Sequence, residues 1–169
     1  MCRTIQADPQ ARALRDALGQ FATGVAVVTA SNEHDASVGI TINSFASVSL
    51  TPALVSWCIA RSAARYRVFA QAERFCISIL GDDQQDIARR FAASASARIE
   101  DRESRPNPPA IPHARASFQC ETTHRFMLGD HLMLVGRIAE FEWRPGAPLI
   151  FAQGRFRATA LPQAPALAA

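Results

Sequence analysis

The spacing of apolar positions changes repeatedly along the first half of the chain, and each change predicts an element. Leu14, Leu18 and Phe21 recur at helical spacing after Asp8-Pro9, an N-cap candidate followed by proline in the first turn, so a short amphipathic helix comes first. Val25-Ala26-Val27-Val28-Thr29-Ala30 is a β-branched run, residues 31–35 form a polar turn and residues 37–42 resume the strand pattern, which predicts a hairpin. Residues 53–59 follow Thr51-Pro52 as a third strand, and their unbroken apolarity predicts burial on both faces. Ser62 is placed to cap a short helix through Tyr66, Phe69 and Ala70. Residues 74–80 predict a fourth strand, after which Gly81-Asp82 turns into an Asp-capped helix over residues 83–91.

Between Ala92 and Pro112 the pattern dissolves into small, charged and proline residues. A stretch of that length predicts a long surface loop, with a lid or other functional excursion as its natural use. Residues 117–121, 131–140 and 149–157 restore the strand pattern, separated by Leu128-Gly129-Asp130 and Arg144-Pro145-Gly146. Strands joined by short turns, with helices inserted rather than alternating, predict a mainly β fold: an antiparallel barrel with peripheral helices. Residues 1–160 read as one domain and residues 161–169 as a flexible Ala/Pro-rich tail.

Composition narrows the chemistry. With 49% apolar and 20% charged residues the chain reads as soluble and globular. No apolar run approaches the roughly 20 residues of a membrane span, and the first residues lack the apolar core of a signal peptide, so the cytoplasm is expected. All 18 basic residues are arginine, which excludes a pyridoxal phosphate Schiff base, a Walker phosphate loop and a lysine general base. A net charge of +3 is spread among interspersed acids with no basic stripe, against nucleic acid as a partner. The absence of G-x-G-x-x-G disfavours a doubly wound dinucleotide fold. Cys2, Cys58, Cys76 and Cys120 contain no C-x-x-C pair; Cys120, His124 and His131 imitate a metal site but lack a fourth ligand at a typical spacing.

Two segments carry candidate chemistry. Residues 38–52 pass from a strand into small hydroxyl and amide side chains beside apolar positions, a lining for a flat polar ligand, and Gly39 admits a planar ring to the backbone. Residues 57–65 are a strand ending in Arg61, Ser62 and Arg65, groups suited to a phosphate. Together they predict a nucleotide-like cofactor held between two strands. No Ser/His/Asp triad or carboxylate pair stands out, as expected where the reacting atoms belong to cofactors.

The runs Gln20 to Thr29, Gly39 to Phe45, Ser47 to Pro52, Phe75 to Leu80, Gly129-Asp130-His131 and Pro148-Leu149-Ile150 resemble the short-chain flavin reductases, in order and spacing, from about Arg12 to Phe156. These are the small NAD(P)H:flavin oxidoreductase components of two-component monooxygenases. The resemblance implies an FMN-binding split β-barrel, a homodimer, FMN or FAD as flavin, and NADH or NADPH as hydride donor. It also implies a flavin-dependent oxygenase as the recipient of diffusing reduced flavin. Carried onto this chain, it places the isoalloxazine against Val38, Gly39, Ile40 and Thr41, with Asn43 and Ser44 on its polar edge. The ribityl phosphate falls on Cys58, Ile59, Ala60, Arg61, Ser62 and Arg65, where Arg65 compensates for hydroxyl residues common in the family. Arg90 and Phe91 correspond to a position near the phosphate and adenine, His131 to a histidine beside the nicotinamide, and Gln153, Gly154, Arg155 and Phe156 to the pyridine-nucleotide side.

Two other readings keep the fold and change the activity. One is a flavin- or haem-binding split barrel that carries or senses its ligand without turnover. The other is a reductase whose acceptor is a ferric chelate or a corrinoid metal. By the residues alone, Asn43 and Ser44 also suit the pairing of backbone groups at a strand end, Arg61 and Arg65 suit solvated charges at a helix start, and His131 suits a strand-edge histidine hydrogen-bonded to a neighbour.

Overall fold

The computed structural model describes residues 9–31, 37–93 and 108–158. Seven of its strands are β2 (Ala26–Ser31), β3 (Ser37–Ile42), β4 (Ala46–Leu50), β5 (Ala53–Ala60), β6 (Arg74–Ile79), β7 (Ala116–Leu128) and β8 (His131–Trp143). They form one antiparallel sheet in the order β3-β2-β6-β7-β8-β5-β4. β1 (Thr23–Gly24), β9 (Ile150–Ala152) and β10 (Arg155–Arg157) make a small separate sheet in the order β1-β9-β10. The helices are α1 (Pro9–Leu18), α2 (Tyr66–Gln71) and α3 (Gln85–Ala93).

The two edges of the large sheet, β3 and β4, are joined by only Asn43-Ser44-Phe45. Phe45 stacks on Phe118 of β7 with ring centroids 5.9 Å apart, so the corner between the edges folds back onto the middle of the sheet. The sheet therefore curls into a cylinder that is split between β3 and β4, the mainly β barrel with peripheral helices that the strand pattern predicts.

Alternation along the strands builds two apolar layers. Ala26, Val28 and Ala30 of β2, Trp57 and Ile59 of β5, Phe75 and Ile77 of β6, and Leu132 and Leu134 of β8 fill the interior, with Phe69 of α2 closing it. Trp57 meets Phe69 and Phe75 edge-on at 5.3 and 5.8 Å. Room for Phe75 comes from Gly136 on β8, where an added Cβ would lie 2.4 Å from the Phe75 ring. Outside the barrel, Val25, Val27, Leu80, Ala88, Phe91, Ile111, Ala114 and Leu149 form the second layer, against which Phe151 and Phe156 of the small sheet pack.

Several expectations change. Within the run after Asn43, residues 46–50 are a strand paired to β5, hidden in the sequence because its side chains are largely exposed. Its ladder is irregular between Ser47 and Ser49. β7 extends to Leu128 instead of stopping at Glu121, and its outer half is exposed, so no buried face announces it. Ser62 does not cap α2; Arg65 stands at the N-cap, with no side-chain capping bond. The turn into α3 is made by Gln84 rather than by aspartate: its Oε1 accepts from Gly81 N at 3.0 Å and its Nε2 donates to Pro112 O at 2.7 Å.

The expected surface loop falls largely on residues 94–107, outside the described residues, as do most of the turn at 31–35 and the tail at 161–169. Residues 108–111, near its end, are not superficial. Pro108, Pro109 and Ile111 are buried on the outer face of the sheet. Gln119 Nε2 donates to Pro108 O at 3.1 Å, Thr29 Oγ1 donates to Pro109 O at 2.7 Å, and Ile111 N donates to Ser78 Oγ at 2.9 Å. Polar side chains of the sheet thus satisfy a proline-rich segment that cannot join a ladder. The first helix forms as expected, but none of its residues is buried, and Leu14, Leu18 and Phe21 stand exposed. No helix among the described residues is long and apolar enough to cross a membrane.

Candidate functional site

Register decides what β3 presents at the split. Leu80 N donates to Val25 O at 2.9 Å, while Val25 N donates to Leu149 O at 3.1 Å; by alternation Val27 and Thr29 turn their backbone groups toward β6, and Ala26, Val28 and Ala30 turn theirs toward β3. Their partners Ile42, Ile40 and Val38 are the hydrogen-bonded ones. The N–H and C=O groups of Gly39 and Thr41 therefore point out of the sheet, along its open edge.

Side chains alternate independently of this. Val38 and Ile40 pack on the barrel interior, whereas Gly39 and Thr41 face α3. Thr41 Oγ1 donates to Ala88 O at 2.7 Å, and a Cβ on Gly39 would lie 2.7 Å from Phe91 Cδ1. Four consecutive residues of a strand cannot line one face of a ring with their side chains; what the segment presents at the split is the backbone edge of Gly39 and Thr41. The glycine at 39 is required by the protein's own Phe91 ring, whether or not a ligand ring also approaches its backbone.

Two sequence segments meet at the corner. The Ser44 hydroxyl accepts from Cys58 N at 3.0 Å and donates to Cys58 O at 3.3 Å, pinning the β3–β4 connection onto β5. Asn43 beside it is exposed. β5 pairs with β8 so that Ala60 lies opposite His131, and Arg61 N donates to Asp130 O at 2.9 Å. Asn43, Ser44, Cys58, Ala60, Arg61, Ser62 and His131 are thus gathered at one end of the cylinder, with Arg61 and Ser62 exposed. Ile59 is the exception: its side chain belongs to the interior.

His131 is hydrogen-bonded to a neighbour, as a strand-edge histidine can be, and that neighbour is Asp130. Its Nδ1 lies 2.7 Å from Asp130 Oδ1, a bond that holds the Asp130 carboxyl below its ordinary pKa. An ionised Asp130 only accepts, so Nδ1 carries the proton and Nε2 is the acceptor of the neutral ring. The adjacent Asp130-His131 pair in a hairpin turn was the available signal.

The two arginines separate. Arg61 faces solvent, but Arg65 is 7% exposed, and its Nη1 donates to Gly39 O on the open edge of β3. Burial lowers its pKa. The side chain expected beside the phosphate is instead folded onto a strand.

The remaining candidates form a second group on the outer layer. Arg90 is exposed, its guanidinium carbon 5.4 Å from the Phe91 ring centroid, and Phe91 is buried. Gln153 and Gly154 have φ of 52° and 73°, the left-handed pair of a two-residue hairpin turn between β9 and β10. Gln153 is tied to the end of α1 through Gly19 O at 2.8 Å and Gln20 Oε1 at 3.1 Å. Arg155 is exposed, and Phe156 packs on Phe151 at 5.4 Å in the layer that also holds Phe91.

Residues 18–160 match the family model described as the flavin reductase like domain. The chain belongs to this family. It is 40% identical over 148 residues to the FMN reductase (NADH) SmoA of Agrobacterium fabrum, covering 86% of this chain and 84% of that protein. It is 38% identical to the reductase component of the flavin-dependent trigonelline monooxygenase of Acinetobacter baylyi, over 86% of this chain and 48% of that one, so it spans about half the length of that relative. Among solved structures, the NADH:FAD oxidoreductase SgcE6 of Streptomyces globisporus, in complex with NAD and FAD fragments, superposes with a TM-score of 0.79 at 32% identity, covering 90% of this chain and 95% of that one.

The donor set at the split of this flavin reductase-like domain fits a flavin nucleotide. The backbone edge of Gly39 and Thr41 and the Asn43 amide supply donors and acceptors for a pyrimidine edge, with the Ser44 hydroxyl taken up by Cys58, and the Arg61 cation and Ser62 hydroxyl suit a phosphate.

Proposed function

We propose that the protein is an NAD(P)H-dependent flavin reductase, with NADH the favoured donor, that reduces FMN or FAD and releases the product to a separate flavin-dependent oxygenase. The observation that carries this reading is the convergence, at one end of a split barrel, of an open strand edge with Asn43, Ser44, Arg61, Ser62 and His131. When both coenzymes are bound, the chemistry is a hydride transfer from nicotinamide C4 to flavin N5. The protein needs no nucleophile for this; it binds, orients and keeps water away. In this reading the edge of β3 and Asn43 align the ring, Arg61 and Ser62 hold the phosphate, and His131, oriented by Asp130, contacts the nicotinamide nucleotide.

A homodimer accompanies this reading. Leu14, Leu18 and Phe21 around α1, and Val48 and Leu50 on β4, leave large apolar side chains exposed on a single chain, the kind of surface a second subunit covers. The free thiols of Cys58, Cys76 and Cys120 suit the reducing cytoplasm.

The test is direct. The purified protein is mixed with FMN, FAD or riboflavin, and the nicotinamide absorbance of NADH or NADPH is followed. Turnover that depends on added flavin supports the reading. Tight flavin binding without nicotinamide oxidation overturns it in favour of a carrier, and turnover only with a ferric or corrinoid acceptor redirects it. Sedimentation of the same sample reads the dimer.

A further inference from the structure

One group on the open edge of β3 is already engaged. Gly39 O, which the register turns away from β2, accepts from Arg65 Nη1. Arg65 stands immediately before α2, yet its side chain makes no capping bond there and instead reaches back to a strand. A buried guanidinium is tolerated where hydrogen bonds replace its lost water, and Gly39 O supplies one.

Gly39 is held on every side by a different element. Its neighbours Val38 and Ile40 are bonded to β2, the Phe91 ring fills the place of a side chain, and Arg65 takes the carbonyl. Two residues on, the Thr41 hydroxyl is tied to Ala88 O of α3. What the edge then turns outward is the N–H of Gly39, with the N–H and C=O of Thr41 about 7 Å further along. With Gly39 O exposed, such an edge would offer donors and acceptors in equal number; with it capped, donors predominate. The pyrimidine edge of a flavin has the opposite balance: two carbonyl oxygens and ring nitrogens that accept, and a single N–H that donates.

Building on the flavin reading above, we propose that Arg65 is a positioning residue: by capping the Gly39 carbonyl it makes the split edge of β3 a donor rail for the acceptor-rich edge of the flavin ring, rather than serving as a ligand of the flavin phosphate.

Riboflavin, which has the ring and no phosphate, separates these roles. Flavin fluorescence titrations compare wild type with Arg65→Met, which keeps much of the apolar stem, for riboflavin and for FMN. The rail requires that both dissociation constants rise by a similar factor of tenfold or more. A rise confined to FMN overturns the proposal in favour of a phosphate contact, and no rise in either overturns it outright. A strand that is merely loosened is recognised with a riboflavin analogue carrying sulfur in place of a ring carbonyl oxygen. The rail predicts a smaller loss for this poorer acceptor, whereas loosening weakens all three ligands alike and overturns the proposal. If Arg65→Met does not fold, the amide resonances of Gly39 and Thr41 in the wild-type protein decide: both must move on riboflavin addition, and unmoved signals overturn the rail. Nicotinamide oxidation by the wild type is scored separately, so loss of the reductase reading and loss of this one are distinct results.

Discussion

The Ser44 hydroxyl engages both backbone groups of Cys58, accepting from its N–H at 3.0 Å and donating to its C=O at 3.3 Å. A single side chain thereby fixes the distance between the corner joining the two sheet edges and the strand leading to Arg61. Ser44→Ala removes that pin. The expected loss of stability is about 1 kcal/mol, read as a fall in melting temperature of about 2–4 °C, with flavin affinity weakened several-fold because the two halves of the site are no longer in register.

His131 and Asp130 give the second prediction. Hydride transfer between coenzymes needs orientation more than proton transfer, so His131→Ala should lower kcat/KM by about tenfold or less, the worth of one lost hydrogen bond, mainly through a raised KM for the nicotinamide nucleotide. Total inactivation would contradict the assigned role. Asp130→Asn should fall between the two, since an amide can still orient the ring but no longer dictates which nitrogen carries the proton.

The same pair has a pH signature. Bonding to His131 depresses the Asp130 pKa in the folded state, so the bond is present above the ordinary aspartate range near pH ~4 and is lost as the pH falls through the depressed folded value. A carboxyl-carbon NMR titration of Asp130 should show its midpoint below that of an unstructured aspartate. Asp130 is fully exposed, so no measurable share of global stability should follow this titration.

Gly39→Ala tests why a glycine stands there. The new methyl would meet the Phe91 ring at 2.7 Å, and Phe91 is buried, so the cost should be about 1–3 kcal/mol by denaturant unfolding. Gly39→Ala combined with Phe91→Leu should recover part of that loss. If the glycine served only a ligand ring, the single variant would be as stable as wild type and would lose flavin binding alone.

Thiol reactivity supplies a further check on burial. Desolvation pushes Cys76 up to about 11 and Cys120 up to about 12, and both are buried, while Cys58 is half-buried at the corner with its pKa raised to a lesser degree by the same cause. Of these three, Cys58 should alkylate first in the native protein, and saturating flavin should slow it. Peptide mass analysis after timed quenching reads the order.

Where a strand has a buried face, its period is legible in the sequence. Val27, Trp57 and Ile77 announce their strands because water is excluded from one or both sides. β4 and the outer half of β7 give no such signal; their ladders hold them while their side chains remain in water. Pro108-Pro109 reads as surface because proline cannot join a sheet, yet Thr29 and Gln119 accommodate its carbonyls from the sheet's outer face. At the site, residue types and the family resemblance suffice to bring Asn43, Ser44, Arg61 and His131 into one argument. The true neighbours of Gly39 and Arg65 were not legible, because each is explained by a residue far along the chain: Phe91 for one, and Gly39 itself for the other.

A cylinder left unzipped has two raw margins, and either could recruit a strand from another molecule and seed fibrils. Here one margin, β4, carries a break in its ladder between Ser47 and Ser49, and the other has an acceptor occupied by Arg65, so a foreign strand meets an incomplete template at both. The seam thereby offers no continuous template for runaway self-association.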